Sequence, residues 1–420
     1  MASVLSLARP SLGRLLGAAG RREQIRSLRG NSGAAAVSND SHESPKGTAD
    51  GNSGDRDVKR LLEEAASFED DIPTKGEDAW ATSPYPKGAV IRSQGLRSLR
   101  PLVDPKETSV ILFPGQGTQY VGMGKDLTRF PAARDLFKEA SQILGYDLLK
   151  LCKEGPVQKL NRTEFAQPAI LVCSLAALEM LKEERPSVIE NCIATAGFSL
   201  GELTALVFAE VLSFAKAVKL VKIRGEAMQA AAELYKGAMA TVLYGPDSKI
   251  GFACLRAKEY AASRGEEVPY CGVANYLFPH CKILAGSEEA IKFLEENKAE
   301  FKLKRIKRLP VSGAFHSPHM APAVEVFRKA LNKVPMQDPV LAVHSNVDGK
   351  IYRDAGHVRK QLPKQILAPV KWEQTLHILY ERPADVDFPK TFECGPGTSL
   401  STILKNVNLK ASNSCINVPA

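Results

Sequence analysis

The chain has 420 residues, 44% hydrophobic and 25% charged, with 31 Gly and 26 Pro. These are the proportions of a globular protein with a sizeable core, organised as one large or two modest domains. Its 56 Lys and Arg against 47 Asp and Glu leave a formal charge of +9, and no apolar run approaches the roughly 18 residues that a membrane span requires, so a soluble protein is expected.

In chain order, residues 1–30 hold six Arg and one Glu among Leu, Ala and Ser, the make-up of a removable mitochondrial presequence, with a disordered basic tail as the plainer alternative. Residues 31–106 are rich in Gly, Ser, Pro and charge and cannot bury enough apolar surface to offset their ordering entropy. They read as a linker, with one short helix at "RDVKRLLEEAASF". The folded part begins at "TSVILFPGQG", where Val110–Phe113 is a continuous apolar run closed by Pro-Gly, as in a strand buried on both faces. "VIENCIATAGFS" predicts a second such strand, and "LGELTALVFAEVLSF" after it is apolar at helical spacing. "GFSLGE", residues 197–202, therefore sits between strand and helix, the context of a nucleophile elbow that lifts the Ser199 hydroxyl into the open.

Between about Gly237 and Pro310 the text changes character. "AMATVLYG", helical "KIGFACLRAKEYAASRG", "YCGVANYLFPHCKILAG", "EEAIKFLEENKAEF" and "KLKRIKRLPV" predict a small βαββαβ-like insert. "VLAVHSNVDG" and "KTFECGPG" are further strands of an α/β sheet with helices on both faces. The eight cysteines, at 152, 173, 192, 254, 271, 281, 394 and 415, form no CxxC pair and no metal-ligand spacing, and read as core residues and reduced surface thiols.

A serine at such a turn needs a base, an oxyanion hole and a group that recognises the acyl chain. Of the seven histidines, His316 and His319 in the punctuated loop "VSGAFHSPHM" are the candidates, and the pattern does not choose between them. After Ser213, "FAKAVKLVKIRGEAMQA" carries Phe214, Ala217, Val218, Val221 and Met228 on one helical stripe, and Arg224 belongs to it. A guanidinium there requires an anion. Either an internal carboxylate such as Glu202, with the arginine snorkelling, or a substrate carboxylate held by a bidentate fork would serve.

"FPGQGTQYVGMG", "GFSLGE", "KIRGEAMQ", "GVAN", "VSGAFHSPHM", "APVKW" and "ECGPGTSL" follow one another as in the malonyl-CoA:acyl carrier protein transacylases, and the chain resembles that family, in its mitochondrial form, over about residues 108–410. The resemblance implies Ser199 as nucleophile, His316 rather than His319 as general base, and Arg224 as the holder of the malonyl carboxylate. Backbone N–H groups of Gln116 and Leu200 would form the oxyanion hole, and the Gln365 carbonyl would orient the histidine. The implied fold is α/β, with an α/β-hydrolase-like large domain (107–236 and 311–420) and a ferredoxin-like inserted subdomain (237–310). The implied activity moves a malonyl group from malonyl-CoA to the phosphopantetheine thiol of acyl carrier protein, for mitochondrial type II fatty acid synthesis in the matrix. Neither metal nor redox cofactor is implied, nor a nucleic-acid or membrane partner, and a monomer is expected.

Two details bear on substrate. Phe198 stands where the family usually has His, and "GAFH", 313–316, resembles the malonyl-selective type, with Phe315 leaving little room for an α-methyl group. The run "KLKRIKRL" concentrates Lys302, Lys304, Arg305, Lys307 and Arg308. Lys304, Arg305 and Lys307 are candidates for docking an acidic carrier protein, against the alternative of a solvated strand face. A serine esterase or thioesterase shares the elbow but gives no reason for Arg224. A non-catalytic scaffold gives none for keeping serine, histidine and arginine together.

Overall fold

The strand expected at Val110–Phe113 is β1 (Ser109–Phe113), buried at all five positions. The computed structural model describes residues 103–420; the presequence, the short helix at 56–68 and the linker up to 102 lie outside the described residues. Before β1, Asp104 caps a 3-10 turn over Pro105–Glu107 by accepting the Lys106 N–H at 3.1 Å. Then come β2 (Cys192–Gly197), β3 (Gly237–Leu243), β4 (Cys271–Phe278), β5 (Cys281–Ser287), β6 (Arg305–Arg308), β7 (Ala342–His344), β8 (Val370–Lys371), β9 (Lys390–Cys394) and β10 (Cys415–Val418).

The larger sheet has the order β10-β9-β1-β2-β7, with every pairing parallel. Side chains alternate across β1. Ile111 and Phe113 join the main core, whereas Val110 and Leu112 join a second cluster on the other face with Trp372, Leu376 and Leu404. After β1 the chain builds outward through β2 to β7, and it later returns to the other side of β1 with β9. Ligands in open α/β sheets bind outside the carboxyl ends of the strands near such a reversal.

The long helix Thr163–Glu184 packs against Phe214–Leu234 and is buried over most of its length. It corrects the expectation that no segment is long and apolar enough to cross a membrane. An 18-residue window within its 22 residues reaches a mean hydropathy of 1.4, but 83% of that window is buried inside the protein. A helix apolar all round is here a core helix.

The smaller sheet has the order β6-β3-β5-β4-β8, antiparallel from β6 to β4. With helices Ile250–Ser263 and Glu288–Glu296, β3 to β6 run β-α-β-β-α-β. "YCGVANYLFPHCKILAG" thus holds two strands, joined at Pro279 and His280, where His280 takes φ +65°. β8 enters this sheet from outside the insert, paired in parallel with β4, an addition the sequence did not announce. The strand read from residue 188 begins only at Cys192, because Pro186 opens a short helix over Pro186–Glu190. Seven cysteines are buried and Cys415 is half-buried, so the expected surface thiols are not found.

Candidate active site

Ser199 comes one residue after β2, at the N-cap of the helix Leu200–Phe208, with φ +52° and ψ −102°; it is only 9% exposed, so the hydroxyl expected in the open is enclosed by its partners. A side-chain-bearing residue holds that conformation only where its surroundings enforce it. Glycine on either side lets the turn close. A Cβ on Gly197 would fall 1.9 Å from the Gly201 main chain, and one on Gly201 would fall 2.2 Å from the Phe113 carbonyl oxygen. Asn346, just past β7, accepts the Ser199 N–H at 2.6 Å and donates to the Gly197 carbonyl at 2.8 Å. The Gln365 side-chain N–H donates to the Ser199 carbonyl at 2.8 Å. Both main-chain polar groups of the serine are therefore held by side chains from distant segments.

His316 Nε2 lies 2.9 Å from Ser199 Oγ, and His316 Nδ1 lies 2.7 Å from the Gln365 main-chain oxygen. A carbonyl can only accept, so the neutral ring carries its proton on Nδ1 and turns the Nε2 lone pair to the hydroxyl. Burial, then the nearby Arg224 charge, hold His316 down at about 4, with main-chain groups of Gln365 and Ala368 pulling it partly back. His319 is also buried but bonds through Nε2 to the Val268 carbonyl at 2.7 Å and makes no contact with Ser199.

Arg224 is 1% exposed. It reaches the serine because its helix runs close to Thr163–Glu184. A Cβ on the adjoining Gly225 would lie 3.0 Å from the Thr163 oxygen and the Glu164 Cα. Its Nη1 donates to Gln167 Oε1 at 2.7 Å, and its Nη2 to Gln365 Oε1 at 2.8 Å and to Ser199 Oγ at 3.3 Å. Among the described residues no carboxylate forms an ion pair with it, and its buried Nε has no partner. Burial lowers it to about 10, with Glu202 pulling the other way, so it stays a cation at neutral pH. The alternatives of an internal ion pair with Glu202 and of a snorkelling side chain are both set aside by this geometry.

Gln116 lies in the loop after β1, pressed against the elbow. A Cβ on its neighbour Gly115 would be 2.3 Å from the Phe198 carbonyl. The Gln116 side chain donates to Thr163 Oγ1 at 3.2 Å. Leu200 is the first residue of its helix, where an N–H has no intrahelical acceptor. Neither main-chain N–H, of Gln116 or of Leu200, finds an acceptor among the described residues. Phe315 is buried immediately before His316 and belongs to the main core. The Phe198 ring packs edge-on against Trp372, with centroids 5.4 Å apart.

Lys304, Arg305 and Lys307 are exposed at or beside the edge strand β6, outside this buried network. Ile306 packs toward the insert's core, and Arg308, on the same side of the strand, is paired with Glu288 and Glu295. Arg305 and Lys307 consequently share the opposite side. Four groups in the network were not singled out by sequence pattern for their part here: Gln167, Asn346, Tyr352 and, as a hydrogen-bonding group, Glu202. Gln167 did carry a signal, as the one amide side chain in the largely apolar run "FAQPAILVCSLAAL". No group of three or more metal-ligating side chains occurs among the described residues.

A family model described as the acyl transferase domain matches residues 110–381. A Drosophila melanogaster protein named "Probable malonyl-CoA-acyl carrier protein transacylase, mitochondrial" is 63% identical over 321 residues, 76% of this chain and 85% of that protein. The chain belongs to the malonyl-CoA-acyl carrier protein transacylase family. A second transacylase, the mitochondrial one of Homo sapiens, is 52% identical over 307 residues, covering 73% of this chain and 79% of its own. Among solved structures, the acyl-carrier-protein-S-malonyltransferase of Bartonella henselae superimposes with a TM-score of 0.67 at 30% identity, over 74% of this chain and 96% of that one. The transacylase fold, a parallel α/β domain carrying a small inserted subdomain, is thus the fold of this chain.

Proposed function

We propose that this mitochondrial transacylase moves malonyl from malonyl-CoA to the phosphopantetheine thiol of acyl carrier protein through a malonyl ester on Ser199, in the matrix. One observation carries the reading: a fully buried cation without a carboxylate partner stands 3.3 Å from a serine hydroxyl that faces a histidine lone pair. An unpaired buried charge is costly, and a substrate carboxylate supplies the missing anion where a three-carbon acyl unit would present its thioester to Ser199.

In the first half-reaction His316 Nε2 takes the Ser199 proton as Oγ attacks the thioester carbonyl, and the unengaged N–H groups of Gln116 and Leu200 receive the oxyanion. Coenzyme A leaves as its thiol, taking the proton from His316. The carrier-protein thiol then enters, and the same steps run in reverse. Gln365 keeps the imidazole in the tautomer this requires. Phe315, next to the base, supports malonyl over methylmalonyl as the preferred acyl group. Hydrolysis to free malonate gives Arg224 no greater use than transfer does, but leaves the basic face of β6 without one. Incubation with malonyl-CoA with and without acyl carrier protein separates the two, since malonate forming equally fast in both would reject the transferase.

Two expected results follow from this chemistry. Because His316 sits near 4 rather than its ordinary 6.5, it is neutral throughout the range above, so the acid limb of kcat/KM for malonyl-CoA should fall near pH 4. A substrate carboxylate on Arg224 removes much of the charge that holds His316 down, so the limb of the acylation rate at saturating substrate should lie higher. A limb near 6.5 for the free enzyme would contradict the buried base. The second result concerns the carrier protein. Acidic residues at Lys304, Arg305 and Lys307 together should raise its KM roughly tenfold at low salt, leave that for malonyl-CoA alone, and lose the effect as salt is added. No change would assign the cluster to solvent.

A further inference from the structure

We propose that Glu202 is a positioning residue: it clamps the Gln365 side-chain amide so that the amide oxygen stays on Arg224. This rests on the reading of Arg224 as the substrate-carboxylate site. Glu202 is fully buried in the first turn after Ser199, yet its carboxylate forms no direct ion pair, feeling the Arg224 charge only across the Gln365 amide, and it hydrogen-bonds neither the hydroxyl nor the histidine. A carboxylate removed from water in this way is expensive unless its oxygens are occupied, and here they are. One oxygen accepts from the Tyr352 hydroxyl and the other from Gln365 Nε2 at 2.6 Å.

Gln365 is the hub of the site. Its main-chain oxygen takes the His316 proton, its side-chain oxygen takes an N–H of Arg224, and its side-chain nitrogen donates to the Ser199 carbonyl and to Glu202. An amide turned end for end would set donor against donor at Arg224, and acceptor against acceptor at Glu202 and Ser199. Glu202 and Arg224 thus hold the same amide from opposite ends. Removing the Glu202 oxygens leaves one amide N–H and the Tyr352 hydroxyl buried without partners, a state that favours another rotamer of Gln365. Arg224 then loses its carbonyl support. Burial pushes Glu202 up to about 7, but a proton on the oxygen facing Tyr352 leaves the other free to accept from Gln365. The clamp therefore operates in either charge state, and a glutamine should replace it.

The test compares acylation by malonyl-CoA and by acetyl-CoA, which has no carboxylate for Arg224, in wild type, Glu202→Ala, Glu202→Gln, Gln365→Met and the Glu202→Ala/Gln365→Met double variant. Glu202→Ala should lower kcat/KM for malonyl about 5- to 100-fold, mostly through KM, and that for acetyl less than about threefold. Glu202→Gln should stay within about threefold of wild type for both, and the double variant should be no worse than Gln365→Met. Equal losses for the two acyl groups, a Glu202→Gln as impaired as Glu202→Ala, or additive losses in the double variant would each overturn the clamp. Should Glu202→Ala fail to fold, Glu202→Gln and Gln365→Glu decide: the first should keep the malonyl preference of wild type, whereas the second, which sets acceptor against Glu202 and Ser199, should lose it, and a Glu202→Gln that loses the preference refutes the clamp. A wild-type protein without malonyl preference would instead reject the functional reading beneath it.

Discussion

Ser199→Ala is expected to abolish covalent capture of malonyl and to lower transfer by several orders of magnitude, while leaving the fold intact. Alanine keeps the Cβ that the elbow already accommodates. The contacts that enforce φ +52° reach the main chain of residue 199, from Asn346 and Gln365, and not its hydroxyl. Loss of the nucleophile removes what the base and the oxyanion hole act upon, so the three do not contribute independently. Intact mass after brief exposure to malonyl-CoA checks the result. Wild type should gain one malonyl group and the variant none, with melting temperatures close together. A variant that still gains the acyl mass would move the nucleophile elsewhere.

Arg224→Ala is expected to separate malonyl from acetyl. Truncating one partner of a buried, hydrogen-bonded charge pair costs about 2–5 kcal/mol, or roughly 30- to several-thousand-fold in kcat/KM for malonyl-CoA. Acetyl-CoA brings no carboxylate, so its loss should be much smaller, arising only from the support that Arg224 gives to Ser199 Oγ and to the Gln365 and Gln167 amides. Free malonate offers a readout independent of turnover. An anion that binds only the folded protein raises its melting temperature, an effect expected in wild type and absent in the variant. Equal losses for both acyl groups, with malonate still stabilising the variant, would reduce Arg224 to a packing role.

Much of the architecture was legible because it rests on local pattern. The all-apolar run at Val110–Phe113 marked a doubly covered strand. Gly-flanked Ser199 between a strand and an apolar helix marked the elbow, and Arg224 on the apolar stripe of its helix announced a buried cation. Element edges were less legible. Pro186 opened a helix that runs to Glu190, over the first residues of the strand read from Val188, and the stretch 270–286, which holds the two adjacent strands of the expected βαββαβ insert, gave no sign of where one ends and the next begins, which the pairing partners β3 and β8 decide. Motif order identified His316 and Gln365 by resemblance. No periodicity could, because each acts on Ser199 across more than a hundred residues of chain.

Side-chain chemistry and spacing determined that this protein would have a serine on a tight strand-to-helix turn, a cation on an apolar helix face and an α/β frame to carry them, because each of those follows from neighbours within a few turns. Only the tertiary structure decided which histidine meets the serine, that the arginine has no carboxylate of its own, and that Gln167, Asn346, Tyr352 and Glu202 complete the network. Hydrogen bonds are directional and short, so whether polar groups from separate segments satisfy one another depends on how the strands and helices between them pack.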